Sequence, residues 1–216
     1  MNRLKQLYNE AKEEYDQRVS LLDRTLYRLC KKHPHHATKA EIHAKVWIIG
    51  RTYGTGIERI GSSTGKQGGV MQSLVKRIWT KRKRVHEIIA PLVGLKHPLD
   101  ERKLNLIVEQ HAKLLRLISP RSKKQPRSQK QARSFVSKYL HCHIPLVPIF
   151  DSVAAKYAPK LCRFNSSMYL EESPNRSDLT YYKHCCRVLQ LSKELRQFGI
   201  RPKVRIIDRM FIIESR

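Results

Sequence analysis

Acidic side chains are scarce in this sequence. Asp and Glu together number 18 against 44 for Lys and Arg, a formal charge of +26 over 216 residues, with an isoelectric point near 10.3. So large an imbalance bears on partners more than on fold. The natural polyanion is nucleic acid, whose phosphates dominate affinity. An anionic membrane is the competitor, but the sequence has no apolar run long enough to span one and no signal peptide. Cysteine is sparse as well. Cys30, Cys142, Cys162, Cys185 and Cys186 are odd in number and form no Cys-x-x-Cys pair, so reduced thiols in a bacterial cytoplasm are expected. A nucleotide-hydrolysing loop is missing too. The Gly54–Gly69 segment is rich in Gly and Ser, yet Ile60 stands where a phosphate loop needs its first Gly, and Gln67 where it needs Ser or Thr. There is no internal repeat, and no set of strands from which a sheet could be assembled.

What remains is helical periodicity. Residues 3–32 carry Leu4, Leu7, Tyr8, Ala11, Tyr15, Val19, Leu22, Leu26 and Leu29 at helical spacing, with Pro34 as a stop. Thr38 and Glu41 form a capping box for a second helix, which has Ile42, Val46, Ile49 and Tyr53 on one face. Residues 70–92 read as a helix ended by Pro91 and Gly94, and Leu99 or Asp100 starts another that runs to about Ile118. Residues 119–133 hold no acidic and no large apolar residue; they read as a linker or as a phosphate-gripping hairpin. Leu179–Phe198 is a helix with Gly199 as its C-cap, and Val204–Ile213 reads equally as helix or strand. The expected fold is mostly α, with 216 residues enough to bury a real core. The chain forms one unit or two packed subdomains of about 1–118 and 119–216.

The stretch from Arg133 to Ala158 organises the rest. An amphipathic helix, Arg133–His143, is followed by the apolar turn Ile144-Pro145-Leu146-Val147-Pro148-Ile149-Phe150, then by Asp151 at the head of another helix. The two prolines remove backbone donors and force an extended path between the helices. Asp151 is thereby placed at a helix mouth beside apolar walls, either as a plain N-cap or as a functional carboxylate. His141, Cys142 and His143 with Asp151 make a poor metal set, because residues i and i+2 of a helix point to different sides. Glu58, beside Arg59 in the Gly-rich segment, is the second carboxylate candidate.

This helix, short proline turn and apolar run ending in Asp resembles the core of the helix-hairpin-helix DNA glycosylases. The resemblance covers about residues 126–160. It implies a compact helical glycosylase-like fold with Asp151 as the catalytic carboxylate and Ser152 following it. The family's Schiff-base lysine falls at Arg133, which cannot act as an amine nucleophile, so the resemblance implies a monofunctional enzyme. Lys138, further along the helix, is the alternative nucleophile. The family's Gly-x-Gly hairpin is replaced by Gln129, Lys130 and Gln131, which leaves the grip on phosphate to basic residues. Two stretches, Ala44–Ile60 and the segment from Ser134 to Ser152, are also similar to phage-defence glycosylases that act on glucosylated hydroxymethylcytosine. That likeness implies Lys45, Trp47, Arg51, Tyr53, Glu58 and Arg59 as pocket or DNA contacts.

Cleavage of an N-glycosidic bond develops oxocarbenium character at the sugar, which a half-buried carboxylate stabilises while it positions or deprotonates water. The base must first leave the stack for a pocket with aromatic walls, for which Trp47, Tyr53, Tyr139 and Phe150 are candidates; by spacing alone, Trp47 and Tyr53 read as core residues. Phosphate contacts are expected from Lys66, Lys76, Arg77, Lys81, Arg82, Lys83, Arg84, Arg121, Lys123, Lys124, Arg127, Lys130 and Arg133. The expected function is excision of a modified base from duplex DNA by a monomer, without metal or organic cofactor. Phage defence is the first biological context and endogenous repair of damaged purines the second. The competing reading is a non-enzymatic DNA- or RNA-binding protein; a metal nuclease lacks a carboxylate cluster.

Overall fold

The computed structural model describes residues 3–55, 69–119, 126–162 and 178–216, and among them every regular element is helical. The expectation of a mostly α fold holds.

The first helical run is α1 (Arg3–Glu14), a π turn (Tyr15–Val19) and α2 (Ser20–Lys32). The sequence predicts one uninterrupted helix here. The extra residue of the π turn moves the buried stripe from Leu7, Tyr8 and Ala11 to Asp23, Leu26 and Cys30. Helix α3 (Lys39–Thr52) opens on the expected capping box: the Thr38 hydroxyl accepts from the Glu41 amide and Glu41 reaches back to the Thr38 amide. The single helix expected over 70–92 is α4 (Gly69–Thr80) and α5 (Arg82–Ile89), broken at Lys81 and followed by a 3-10 turn at Ala90–Leu92. Pro91 lies inside that turn rather than beyond the helix. Asp100 caps α6 (Glu101–Ile118) by accepting from the Lys103 amide.

Helix α7 (Pro126–His143) begins well before Arg133, so the second half of the polar 119–133 stretch is helix. Helices α8 (Ser152–Leu161), α9 (Leu179–Gln197) and α10 (Val204–Ile213) follow among the described residues. Gly199 stands at φ 74°, the left-handed C-cap conformation its place in the sequence suggests. The tail that reads equally as helix or strand is helix α10. It buries Val204, Ile206, Ile207, Met210 and Phe211 between α1, α8 and α9.

Helix α7 is the axis of the core. Between Ala132 and Cys142 only Arg133 is not fully buried, and the helix packs against α2, α3 and α6. A helix buried on all sides must pair every polar side chain it carries. Ser134, Ser137, Lys138 and His141 are all buried, so α7 draws partners toward itself. It is those partners that build the site.

Candidate active site

The turn after α7 is pinned back on to the helix by two of its own side chains. The Ser137 hydroxyl accepts from the Phe150 amide at 3.0 Å and donates to the Ser134 carbonyl at 3.0 Å. His141 Nδ1 lies 2.7 Å from the Val147 carbonyl and its Nε2 lies 2.7 Å from the Tyr27 hydroxyl. A carbonyl only accepts, so Nδ1 carries the proton and Nε2 receives the Tyr27 hydroxyl. Burial, with the Arg205 charge nearby, pushes the His141 ring down to about 4, which keeps it neutral. The Pro148 carbonyl accepts from the Tyr181 hydroxyl at 2.8 Å.

Fixed in this way, the turn delivers Asp151 to the head of α8 with its two oxygens in different roles. Oδ1 accepts from the amides of Val153 and Ala154, both at 3.0 Å, which is the N-cap expected of Asp. Oδ2 lies 3.0 Å from Lys138 Nζ. The Lys138 side chain is 3% exposed and that of Asp151 is 24% exposed, so one face of the carboxylate meets solvent while the ammonium is enclosed. Burial alone would raise the Asp151 carboxyl; the Lys138 ammonium and the Ala154 amide outweigh it, and the group is held below its ordinary value. Asp151 is a carboxylate at neutral pH.

Lys138 is held from its other side by the end of α3. Its ammonium donates to the Tyr53 carbonyl at 3.0 Å and lies 6.0 Å from the centre of the Tyr53 ring. The Tyr53 hydroxyl donates to Asp23 Oδ1 at 2.7 Å. Asp23, with no exposed surface, accepts from Arg205 Nε at 2.7 Å on its other oxygen. The Arg205 guanidinium stands 5.3 Å from the Tyr53 ring centre and also binds Asp208. Lys138, Tyr53, Asp23, Arg205 and Asp208 thus form one buried network behind Asp151, drawn from α7, α3, α2 and α10.

Other expected site residues sit elsewhere. Lys45 and Tyr139 line no open pocket. Both are fully buried, with the Lys45 ammonium on the His33 carbonyl and the Tyr139 hydroxyl 2.6 Å from His36 Nε2. Phe150 is buried as well, its ring edge-on to Tyr181 and His184. Arg133 turns inward to Asp178, at 2.7 and 3.0 Å, and that carboxylate also caps α9; the Arg133 Nε is thus held in an ion pair within the protein. Trp47, expected in the core by spacing, is 37% exposed. It stacks on His43 and carries the Arg51 guanidinium 4.9 Å above its ring, on the outward face of α3. Ser152 is exposed beside Asp151.

Of the expected phosphate contacts, Lys76, Lys81, Lys83 and Arg84 are exposed along α4 and α5, with Arg84 paired to Glu87 at 2.8 Å. Arg77 donates to the Ile118 carbonyl, and Arg82 lies 4.2 Å from the Trp79 ring centre. Glu58, Arg59, Lys66, Arg121, Lys123 and Lys124, and the side chains of Arg127 and Lys130, lie outside the described residues. Among the described residues no His, Cys, Asp and Glu converge as a metal site, and no helix is long and apolar enough to cross a membrane.

Sequence reasoning missed Asp23, Arg205 and Asp208. Their signal was present: an acid inside SLLDRTLYRL, and Arg and Asp inside the apolar tail VRIIDRMFII, where charge is costly unless paired. Nothing in the sequence said that they pair with one another. The chain finds no match among protein-family models, curated proteins or solved structures.

Proposed function

We propose that this protein is a monofunctional DNA glycosylase that hydrolyses the N-glycosidic bond of a flipped, modified base, with Asp151 as the catalytic carboxylate. The observation that carries this reading is the division of labour within Asp151. One oxygen is committed to capping α8 and the other is an ionised, half-open acceptor backed by a buried ammonium. A helix cap needs no lysine behind it. A carboxylate that must stay ionised in an apolar surround does, and the positive end of α8 reinforces the effect. From that position Asp151 can stabilise an oxocarbenium ion or take the proton of an attacking water. The exposed cations of α4 and α5, and the net charge of the chain, suit a duplex whose backbone is bent as the base leaves the stack. A modified cytosine in phage DNA is the favoured substrate, with damaged purines second.

Lys138 supports a second reading. An amine 3.0 Å from a carboxylate could pass a proton to Asp151 and attack C1′ as the N-glycosidic bond breaks, with Asp151 returning that proton to the departing base. The Schiff base then formed would add strand cleavage. Its 3% exposure and its bond to the Tyr53 carbonyl favour the hydrolytic role, in which Lys138 holds Asp151 and does not reach the substrate.

The test is base release in EDTA from duplexes holding cytosine, hydroxymethylcytosine, its glucosylated form or damaged purines. The wild type should leave alkali-labile abasic sites on one of these, and Asp151→Asn should lose about a hundredfold or more in rate. Strand cleavage without alkali would instead assign Lys138 as a nucleophile. DNA binding without abasic sites on any substrate would reduce Asp151 to a cap and leave a non-enzymatic binding protein.

A further inference from the structure

The buried network carries an uneven count of charges. Lys138 and Arg205 supply two cations, while Asp23, Asp151 and Asp208 supply three carboxylates, and each of the five is buried or largely so. Two of the carboxylates are firmly committed. Asp23 accepts from Arg205 and Tyr53, and Asp151 accepts from Lys138 and two amides. Asp208 has only a share of Arg205, which already serves Asp23. It lies on α10, which packs against the helix that Asp151 caps.

We infer that Asp208 is a positioning residue that sets the charge of the Lys138–Asp151 pair, by taking up or releasing the one proton that balances the buried network. With Asp208 protonated, two cations face two carboxylates. With it ionised, the network carries one net negative charge behind Asp151. The catalytic meaning of that charge rests on the glycosylase reading above; the charge coupling itself does not.

The surroundings of Asp208 favour titration near neutrality. Burial raises its carboxyl; Arg205 opposes this, Asp151 adds to it, and Lys138 and Arg209 oppose it, with the balance at about 6. The other elements around the network supply few further charges. On α1, Glu14 is taken by Arg209 and Arg216. On α9, His184 is kept neutral, pushed down to about 4 by burial, as is His141 on α7. Tyr53, just past the end of α3, stays protonated, because burial raises its hydroxyl. Tyr15 in the π turn, pushed up to about 12 mainly by burial, stays protonated too. Among these groups Asp208 is the one whose carboxyl is raised toward neutrality.

The sign of the catalytic effect follows. An added negative charge behind Asp151 stabilises a cationic transition state, so base release should rise by roughly threefold or more as the pH passes through the Asp208 titration. Asp208→Asn should hold the rate at the low-pH level without the step, and Asp208→Glu should restore it.

The deciding experiment follows the carboxyl carbons of 13C-labelled aspartate by NMR between pH 4 and 8, and needs no substrate. The Asp208 resonance, identified by its loss in Asp208→Asn, should titrate near pH 6. It should move down by about one pH unit in Asp151→Asn and up in Lys138→Met, because the first removes a like charge and the second an opposite one. Opposite shifts establish the coupling even if no base is released, in which case only the glycosylase reading fails. An Asp208 titration in the ordinary carboxylate range, or one that neither substitution moves, overturns the inference. So does an unchanged step in the Asp208→Asn rate profile of an active enzyme.

Discussion

Asp151 shows how one side chain can satisfy a bland reading and a sharp one together. Its cap and its ion pair use different oxygens, so the two can be separated by substitution. Asn retains an acceptor for the α8 amides but loses the charge; Ala loses both. In urea unfolding, Asp151→Asn should be less stable than wild type because it strands the Lys138 ammonium, and Asp151→Ala should lie about 1 kcal/mol below Asn for the missing cap. Pairing Asp151→Asn with Lys138→Met should recover part of the loss, since a buried pair is costlier to break than to remove. Equal stability of the Asn and Ala variants would mean that the cap contributes nothing. At this scale the sequence was informative about Asp151 and Lys138, because both belong to one continuous stretch. It was silent about Asp23 and Arg205, whose meaning depends on each other.

Among the elements, local signals were the readable ones. Thr38, Asp151 and Gly199 cap the helices they were expected to cap, and Asp100, one of the two residues read as the start of α6, proves to be its cap, because a cap is decided within a few residues. The break at Lys81 and the π turn at Tyr15–Val19 were not legible, since both adjust which face of a helix meets the core and that depends on packing. The early start of α7 was hidden by a composition that reads as a loop. Trp47 and Tyr139 exchanged places for a similar reason: spacing names a face, but only the fold says which face is covered. The turn between α7 and α8 depends on Ser137, whose hydroxyl is the partner of the buried Phe150 amide. Ser137→Ala should cost about 1–3 kcal/mol through that orphaned donor. It should also lower base release, because the turn carries Asp151. Full activity together with full stability would show that the turn holds without this bond.

The molecule as a whole buries an unusual share of its histidine. Burial, the largest cause in each case, pushes His36 down to about 3 and His111, His141 and His184 to about 4, against 6.5 for an ordinary ring. His97 and His143 are lowered as well. As the pH falls below 6.5 the unfolded chain takes up these protons and the folded chain does not, so stability is lost between about pH 6.5 and 4. Asp208 works in the other direction. Its carboxyl is raised from 3.8 to about 6, so the folded state holds an extra proton there and gains stability as the pH falls across that interval. Several rings outweigh one carboxyl. The melting temperature should fall steadily from pH 7 to pH 4.5, and a flat profile would mean that the rings take up protons without unfolding.

The ion pair between Asp23 and Arg205 joins residues 182 positions apart. A contact of that separation closes a long loop, and the packing of the intervening helices must offset the entropy this costs. The cation that Asp23 and Tyr53 share is supplied by α10, and through Tyr53 it supports the hold on Lys138. The geometry around Asp151 thus depends on the docking of α10, a helix remote in sequence from the residues it secures.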